Sequence, residues 1–226
     1  MLDEGSLEKV TFALDLLVSL EAKDEDYAKL FSKTRINKLM KYNGGHTVCS
    51  PGTSGVIFNL LANHLHPYPE VFSVLDEAFD GLGGNTRRSL TISITTLEAP
   101  AAEILSKRSH PTGTRGYDML DLNGLTELSD SAAESLSKYR GESLSLRSLT
   151  ELSDAAAESL SKIKGQLNLN GLTELSDAAA ESLSKHKECL SLEGLTELSD
   201  AAAESLSKHE NLGLDCGLEE QVAQYR

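Results

Sequence analysis

The chain has 226 residues, 39% apolar and 25% charged side chains, and a formal charge of −14, values that fit a soluble globular protein of one or two domains with a real core. The charge is uneven: residues 1–116 carry 12 basic and 14 acidic side chains, whereas residues 117–226 carry 9 and 21. A phosphate backbone would be repelled by the second half, which excludes nucleic acid as a partner.

No stretch reaches the length of a membrane span, and MLDEGSLEK lacks the basic and apolar regions of a secretory signal. Three scattered cysteines do not make a disulfide framework and suit a reducing, cytoplasmic setting.

Residues 1–86 read as an all-α N-terminal domain. Leu7, Val10, Leu14 and Leu17 form a helical stripe, widened by Phe12, Leu16 and Val18. Asp24 or Asp26 starts a second helix with Tyr27, Leu30 and Phe31, which continues or restarts through Ile36, Leu39 and Met40. Val56, Ile57, Leu60, Leu61 and Leu65 mark a third. Pro69 suits the first turn of a fourth, where Val71, Val74, Leu75, Ala78, Phe79 and Leu82 keep helical spacing before Gly83 and Gly84 end it. These two helical pairs are weakly similar in pattern to HEAT repeats.

Residues 87–226 follow another grammar. Ile92-Ser93-Ile94 with Leu97 reads as a degenerate first repeat, with a shortened helix through Pro100, Ala101, Ala102 and Leu105. Arg108 to Gly116 is polar and turn-rich, an expected loop. Apolar–polar alternation then opens at Leu120, Leu144, Leu167 and Leu190, at intervals of 24, 23 and 23 residues. The segment TELSDAAAESLSK is identical at 150–162, 173–185 and 196–208, and differs at 126–138 only by Ser131. A fixed period of this size predicts a stacked array.

Within one copy, Leu167-Asn168-Leu169-Asn170 has the two-residue period of a strand with one buried face. Gly171 offers a turn, Leu172 and Leu175 point inward, and Ser176 and Asp177 are both good helix caps. Ala178, Ala179 and Ala180 favour helix, and Leu183 shares a face with Ala179. Lys185 and Lys187 suit a helix C-terminus, and Gly165 stands where a C-cap is wanted. An all-helical unit would also place Leu172, Leu175, Ala179 and Leu183 on one stripe. However, about 23 residues leave no room for two packed helices, which take roughly 34 or more. One copy buries too little to fold alone, so neighbouring copies must pair strands and cover each other's leucines. Leu212-Gly213-Leu214 begins a last strand, and LEEQVAQY is expected to fold over it as a cap, as the helical region is at the other end.

The LxL pairs, further leucines, a helix and a period near 23 make residues 87–226 resemble the leucine-rich repeat proteins, especially their short, alanine-rich bacterial variants. The fold class so implied is α/β: a leucine-rich-repeat-like solenoid of parallel sheet and short helices, about four full repeats with degenerate ends, joined to the all-α domain. Two details depart from the family. Its usual asparagine position holds Leu125, Leu149, Leu172 and Leu195, so an apolar ladder replaces the buried asparagine ladder. The leucine expected three residues before the LxL pair is replaced by Lys164 and Lys187.

Within the array the helices are copied unchanged while the outward strand positions vary: Asp121 and Asn123, Ser145 and Arg147, Asn168 and Asn170, Ser191 and Glu193. These eight residues are the candidate partner-binding set, on the sheet face that such arrays present. Drift on a solvated sheet is the plain alternative. Arg147 is the sole obvious anchor, since hot spots favour Trp, Tyr and Arg. Glu158, Glu181 and Glu204 recur on the outer side of the helices, as expected of a solvated surface.

The leading expectation is a non-enzymatic, monomeric protein-interaction scaffold without cofactor or metal. Its rival is a metal- or thiol-dependent enzyme centred on His46, Cys49, His64 and His66, the one cluster with metal-ligand chemistry. A third possibility is a purely structural repeat module. The run GGHTVCSPGTSG lacks the lysine of a phosphate-binding loop, and Val56 stands where a nucleophile elbow needs its second glycine. Gly81-Leu82-Gly83-Gly84 follows a helix and not a strand, so a dinucleotide site is a poor reading.

Overall fold

The computed structural model describes residues 7–21, 23–36, 61–80, 90–91, 94–107 and 119–226. The chain divides into two compact units, Met1–Arg87 and Arg88–Arg226.

The first unit contains α1 (Leu7–Ser19), α2 (Asp24–Leu30) and α3 (Pro69–Asp80), with further helical turns at 33–36 and 61–65. Pro69 opens α3, where its missing N–H and preset φ cost nothing. Asp26 ties the first turn of α2 by accepting from the Lys23 backbone N–H at 3.2 Å. Leu14, Tyr27, Phe31, Ile36, Leu61, Leu65, Phe72 and Leu75 are buried. Tyr27 stacks on Tyr68 with ring centroids 4.0 Å apart; burial, then its bond to Tyr68, pushes its phenol up to about 12.

One sequence expectation fails here. Phe12 and Leu16 do not widen the buried stripe of α1; they are 59% and 45% exposed. Each lies two residues from the fully buried Leu14, which is about 200° around a helix of 3.6 residues per turn, so both face away from the core. The features expected at Leu39, Met40, Val56, Ile57, Leu60, Leu82, Gly83 and Gly84 lie outside the described residues, as do the Arg108–Gly116 stretch and the phosphate-loop-like run.

The second unit alternates strand and helix: β1 (Leu90–Thr91), α4 (Ala99–Ser106), β2 (Met119–Asp121), α5 (Asp130–Leu136), β3 (Ser143–Ser145), α6 (Asp154–Leu160), β4 (Gln166–Asn168), α7 (Asp177–Leu183), β5 (Leu190–Ser191), α8 (Asp200–Leu206), β6 (Leu212–Gly213) and α9 (Cys216–Ala223). The strands form one parallel sheet in chain order, β1 to β6. Leu90, Leu120, Leu144, Leu167, Leu190 and Leu212 stand in register across it. Backbone bonds run beyond the short strands: the N–H groups of Leu122, Leu146, Leu169 and Leu192 donate to Ser145, Asn168, Ser191 and Gly213 at 2.8–2.9 Å.

The core is a set of columns, one residue per turn. Leu122, Leu146, Leu169 and Leu192 are fully buried, and so are Leu125, Leu149 and Leu172, with Leu195 nearly so. The position at which the resemblance placed an asparagine ladder is therefore packed as hydrocarbon. Each of α4 to α8 buries two alanines and a leucine, such as Ala179, Ala180 and Leu183 in α7, while Ala178 is exposed. Alanine's small side chain lets adjacent short helices lie close, and α5, α6, α7 and α8 pack in succession. Ser153, Ser176 and Ser199 cap their helices by accepting from Ala156, Ala179 and Ala202 N–H at 3.0 Å. Their hydroxyls donate in turn to Asp130, Asp154 and Asp177, the first helical residue one turn back. One serine thus satisfies a helix start and joins two helices.

Three local expectations are corrected. The first described strand is Leu90–Thr91, and Ile94, expected to lie in it, is buried at the bend, with Thr95 O accepting from Thr126 N–H; Ile92 and Ser93 lie outside the described residues. Gly171 lies in a turn as expected, and a Cβ there would also fall against Arg147 O and lie 2.7 Å from Leu149 O, so glycine is required by the close passage of the preceding turn. Gly165 is not a C-cap; Ser161 ends that helix, and a Cβ on Gly165 would meet Gly141 O and Glu142 O. Leu175 is only half-buried, unlike Leu172.

At the C-terminal end, Asp215 caps α9 and accepts from Gly217 N–H at 3.1 Å. Val222 of α9 is buried, Gln221 Nε2 donates to Leu198 O at 3.1 Å and Arg226 donates to His209 O at 3.3 Å. These bonds seat the last helix on the last repeat.

Candidate interaction face on the sheet

The polar strand positions form two columns because parallel pairing is in register. Asp121, Ser145, Asn168 and Ser191 pair in sequence across β2–β5, and Asn123, Arg147, Asn170 and Glu193 occupy the position two residues on. In a strand, residues two apart share a face, so the eight candidates lie together.

Their exposures differ. Arg147 and Glu193 are exposed, and Asp121, Asn123, Asn168, Asn170 and Ser191 are half-buried. Ser145 departs from the expected outward role: it is 6% exposed and donates to Asn123 Oδ1 at 2.8 Å. Gly213 ends the first column without a side chain.

Two asparagines hold the face together. Asn123 Oδ1 also accepts from Arg147 backbone N–H at 3.0 Å, and Asn123 O accepts from the Ser148 hydroxyl. One repeat pair later, Asn170 Oδ1 accepts from Glu193 N–H at 3.1 Å while its Nδ2 donates to Glu193 Oε2 at 2.9 Å. Asp121 and Asn168 each accept from the N–H two residues on, at 3.1 and 3.2 Å. Each amide oxygen meets a backbone donor that the short strands leave free. The turns are thus bridged by asparagines at a position different from the one the family resemblance indicates. Arg147 is left as the face's exposed cation and Glu193 as its exposed anion.

The rival histidine–cysteine centre is only partly within the described residues. His46 and Cys49 lie outside them; His64 is half-buried and His66 is buried. Among the described residues no group of three or more His, Cys, Asp and Glu comes together as a metal site needs. Cys189 and Cys216 are exposed free thiols. No helix among the described residues is long and apolar enough to cross a membrane.

Sequence reading missed a pair that the fold brings together. His186 and His209 are 4% and 3% exposed, and their rings stack with centroids 6.1 Å apart and planes 15° apart. His186 Nδ1 lies 3.3 Å from Ser161 O, and His209 Nδ1 accepts from Asn211 N–H at 3.1 Å. Those contacts assign a proton to Nδ1 of His186 and to Nε2 of His209, and both Nε2 atoms are buried without a partner. Desolvation holds both imidazoles below the ordinary histidine value, with Glu188 and Glu210 opposing it and Arg226 adding to it at His209. The available signal was column alignment: Tyr139, Ile163, His186 and His209 recur at the period, and Tyr139 and Ile163 are buried too.

Compared with known family models, curated proteins and solved structures, the chain matches none.

Proposed function

We propose that residues 88–226 form a leucine-rich-repeat-like solenoid and that the chain is a non-enzymatic protein-interaction scaffold, binding a protein through the polar face of its sheet. The observation that carries this reading is where variation falls. Helices α6, α7 and α8 repeat letter for letter and α5 differs only at Ser131, whereas the in-register positions 121, 145, 168 and 191, and the positions two residues on, 123, 147, 170 and 193, differ from each turn to the next. A module that repeats its helices while changing the polar positions of its sheet has the makings of a recognition surface, although the connectors from helix to strand, including the buried column Tyr139, Ile163, His186 and His209, vary as well. Specificity would come from Arg147 and Glu193, the exposed charges, with Asn123 and Asn170 setting the spacing between turns.

The test is affinity capture from the source cell with tagged full-length chain, followed by mass spectrometry, in parallel with an Arg147→Ala/Glu193→Ala variant. The expected result is a protein recovered by the parent chain and lost, or reduced at least tenfold, with the variant. Recovery that is identical for both chains would remove the face from consideration.

A further inference from the structure

A second surface lies off the sheet, along the bends that join strands to helices. Glu151 and Leu152, Glu174 and Leu175, and Glu197 and Leu198 line a groove of about 660 Å³ that crosses three successive turns. Its apolar row is Leu152, Leu175 and Leu198, which stay half-buried while the leucines three positions earlier are sealed in the core. Its acidic row is Glu151, Glu174 and Glu197, all exposed.

These carboxylates differ from two of the helix glutamates. Glu158 and Glu181 each hold a lysine one helical turn away, Lys162 and Lys185, at 3.1 Å. Among the described residues Glu151, Glu174 and Glu197 make no hydrogen bond or ion pair, and no basic side chain lines the groove. Three unneutralised carboxylates therefore run beside a continuous apolar strip, in a half of the chain with 9 basic against 21 acidic residues.

We propose that this groove docks an extended, cationic segment of a protein partner, one carrying leucine-like side chains among lysines or arginines. Spacing supports an extended guest. Turns of the array stand about 4.8 Å apart at paired strands and about 8–10 Å apart at packed helices. Thr196 N–H donates to Thr173 O at 3.1 Å where the bend begins, and α7 and α8 pack where it ends, so the bends run from the first spacing toward the second, while same-face side chains of an extended chain recur about every 6.6–6.8 Å. One basic residue in two can thus meet one glutamate per turn. Apolar side chains between them cover the leucine row, and the charges give the complex its salt dependence. Such a segment could bind while the sheet face is separately occupied.

The test uses full-length chain and three labelled, end-blocked hexapeptides: Lys-Leu-Lys-Leu-Lys-Leu, the same with Ser for Leu, and the same with Glu for Lys. Fluorescence anisotropy should show saturable one-to-one binding of the Lys-Leu peptide, at least tenfold tighter than either control. The Glu151→Gln/Glu174→Gln/Glu197→Gln variant, whose changes are exposed and isosteric, should lose about tenfold in affinity, and Arg147→Ala none. The proposal is overturned by absent or non-saturable binding, or by equal binding of the Lys-Ser peptide, which would mean diffuse charge attraction. Undiminished affinity in the triple variant overturns it too, and loss of binding in Arg147→Ala would move the site to the sheet face.

Discussion

The buried pair His186 and His209 makes the stability of the repeat unit dependent on mild acid. Both imidazoles are neutral in the fold at neutral pH, because burial holds their folded pKa values below the ordinary 6.5. On unfolding, each ring regains water and takes up a proton once the pH is below 6.5. The unfolded chain then binds more protons than the folded one, so stability is whole above that pH and falls as the pH descends toward the folded values, where it levels off. Linkage caps the slope at about 1.4 kcal/mol per pH unit for one site and about 2.7 for two. Since a domain's net stability is about 5–15 kcal/mol, a slope near that cap over one pH unit would be a large share of it. The column supplies its own control: Ile163 is 3% exposed at the equivalent position one turn earlier. Urea midpoints followed by far-ultraviolet circular dichroism at pH 8, 7, 6 and 5 should decline for the parent chain below pH 6.5. For His186→Ile/His209→Ile the decline should be clearly shallower. Comparing the two chains cancels the other histidines and the carboxylates. Parallel curves for both, or a parent chain flat from pH 8 to 5, would refute the assignment of these rings as buried neutral bases.

Two further perturbations probe the contacts between turns. Gly171→Ala sets a Cβ against the Arg147 and Leu149 carbonyls, and overpacking of that kind should destabilise by about 1–3 kcal/mol in urea denaturation; an unchanged midpoint would mean that the bend relaxes freely. Ser176→Ala removes both the cap on α7 and the bond to Asp154, for an expected loss of about 0.5–2 kcal/mol; Ser176→Asn, which restores a capping oxygen, should recover most of it.

Much of the array was readable in advance because a period is a property of the chain and not of its neighbours. Ser153, Ser176 and Ser199 as caps, the inward Leu169 and Leu172, and the strand at Leu167 all follow from spacing within one copy. The misreadings fell where one copy meets another. Gly165 looked like a helix C-cap and Gly171, which does lie in a turn, like a residue chosen for that turn alone, yet what demands glycine at both is a carbonyl some 24 residues earlier in the chain. Asn123 and Asn170 looked like free outward amides, yet each is tied to a backbone N–H on the following turn. His186 and His209 drew no notice as isolated letters, because burial of a column depends on what stacks above and below it.

Local rules therefore determined the elements: alternation for strands, serine before aspartate for helix starts, alanine runs for helices, and a constant interval for their succession. Those are short-range preferences, written in the few residues that obey them. Which carbonyl crowds which glycine, which amide bridges two turns and which imidazole loses its water were decided by the stacking distance between copies. That distance emerges only when leucine columns close against one another and the strands take up their hydrogen-bonded spacing, and no single copy contains it.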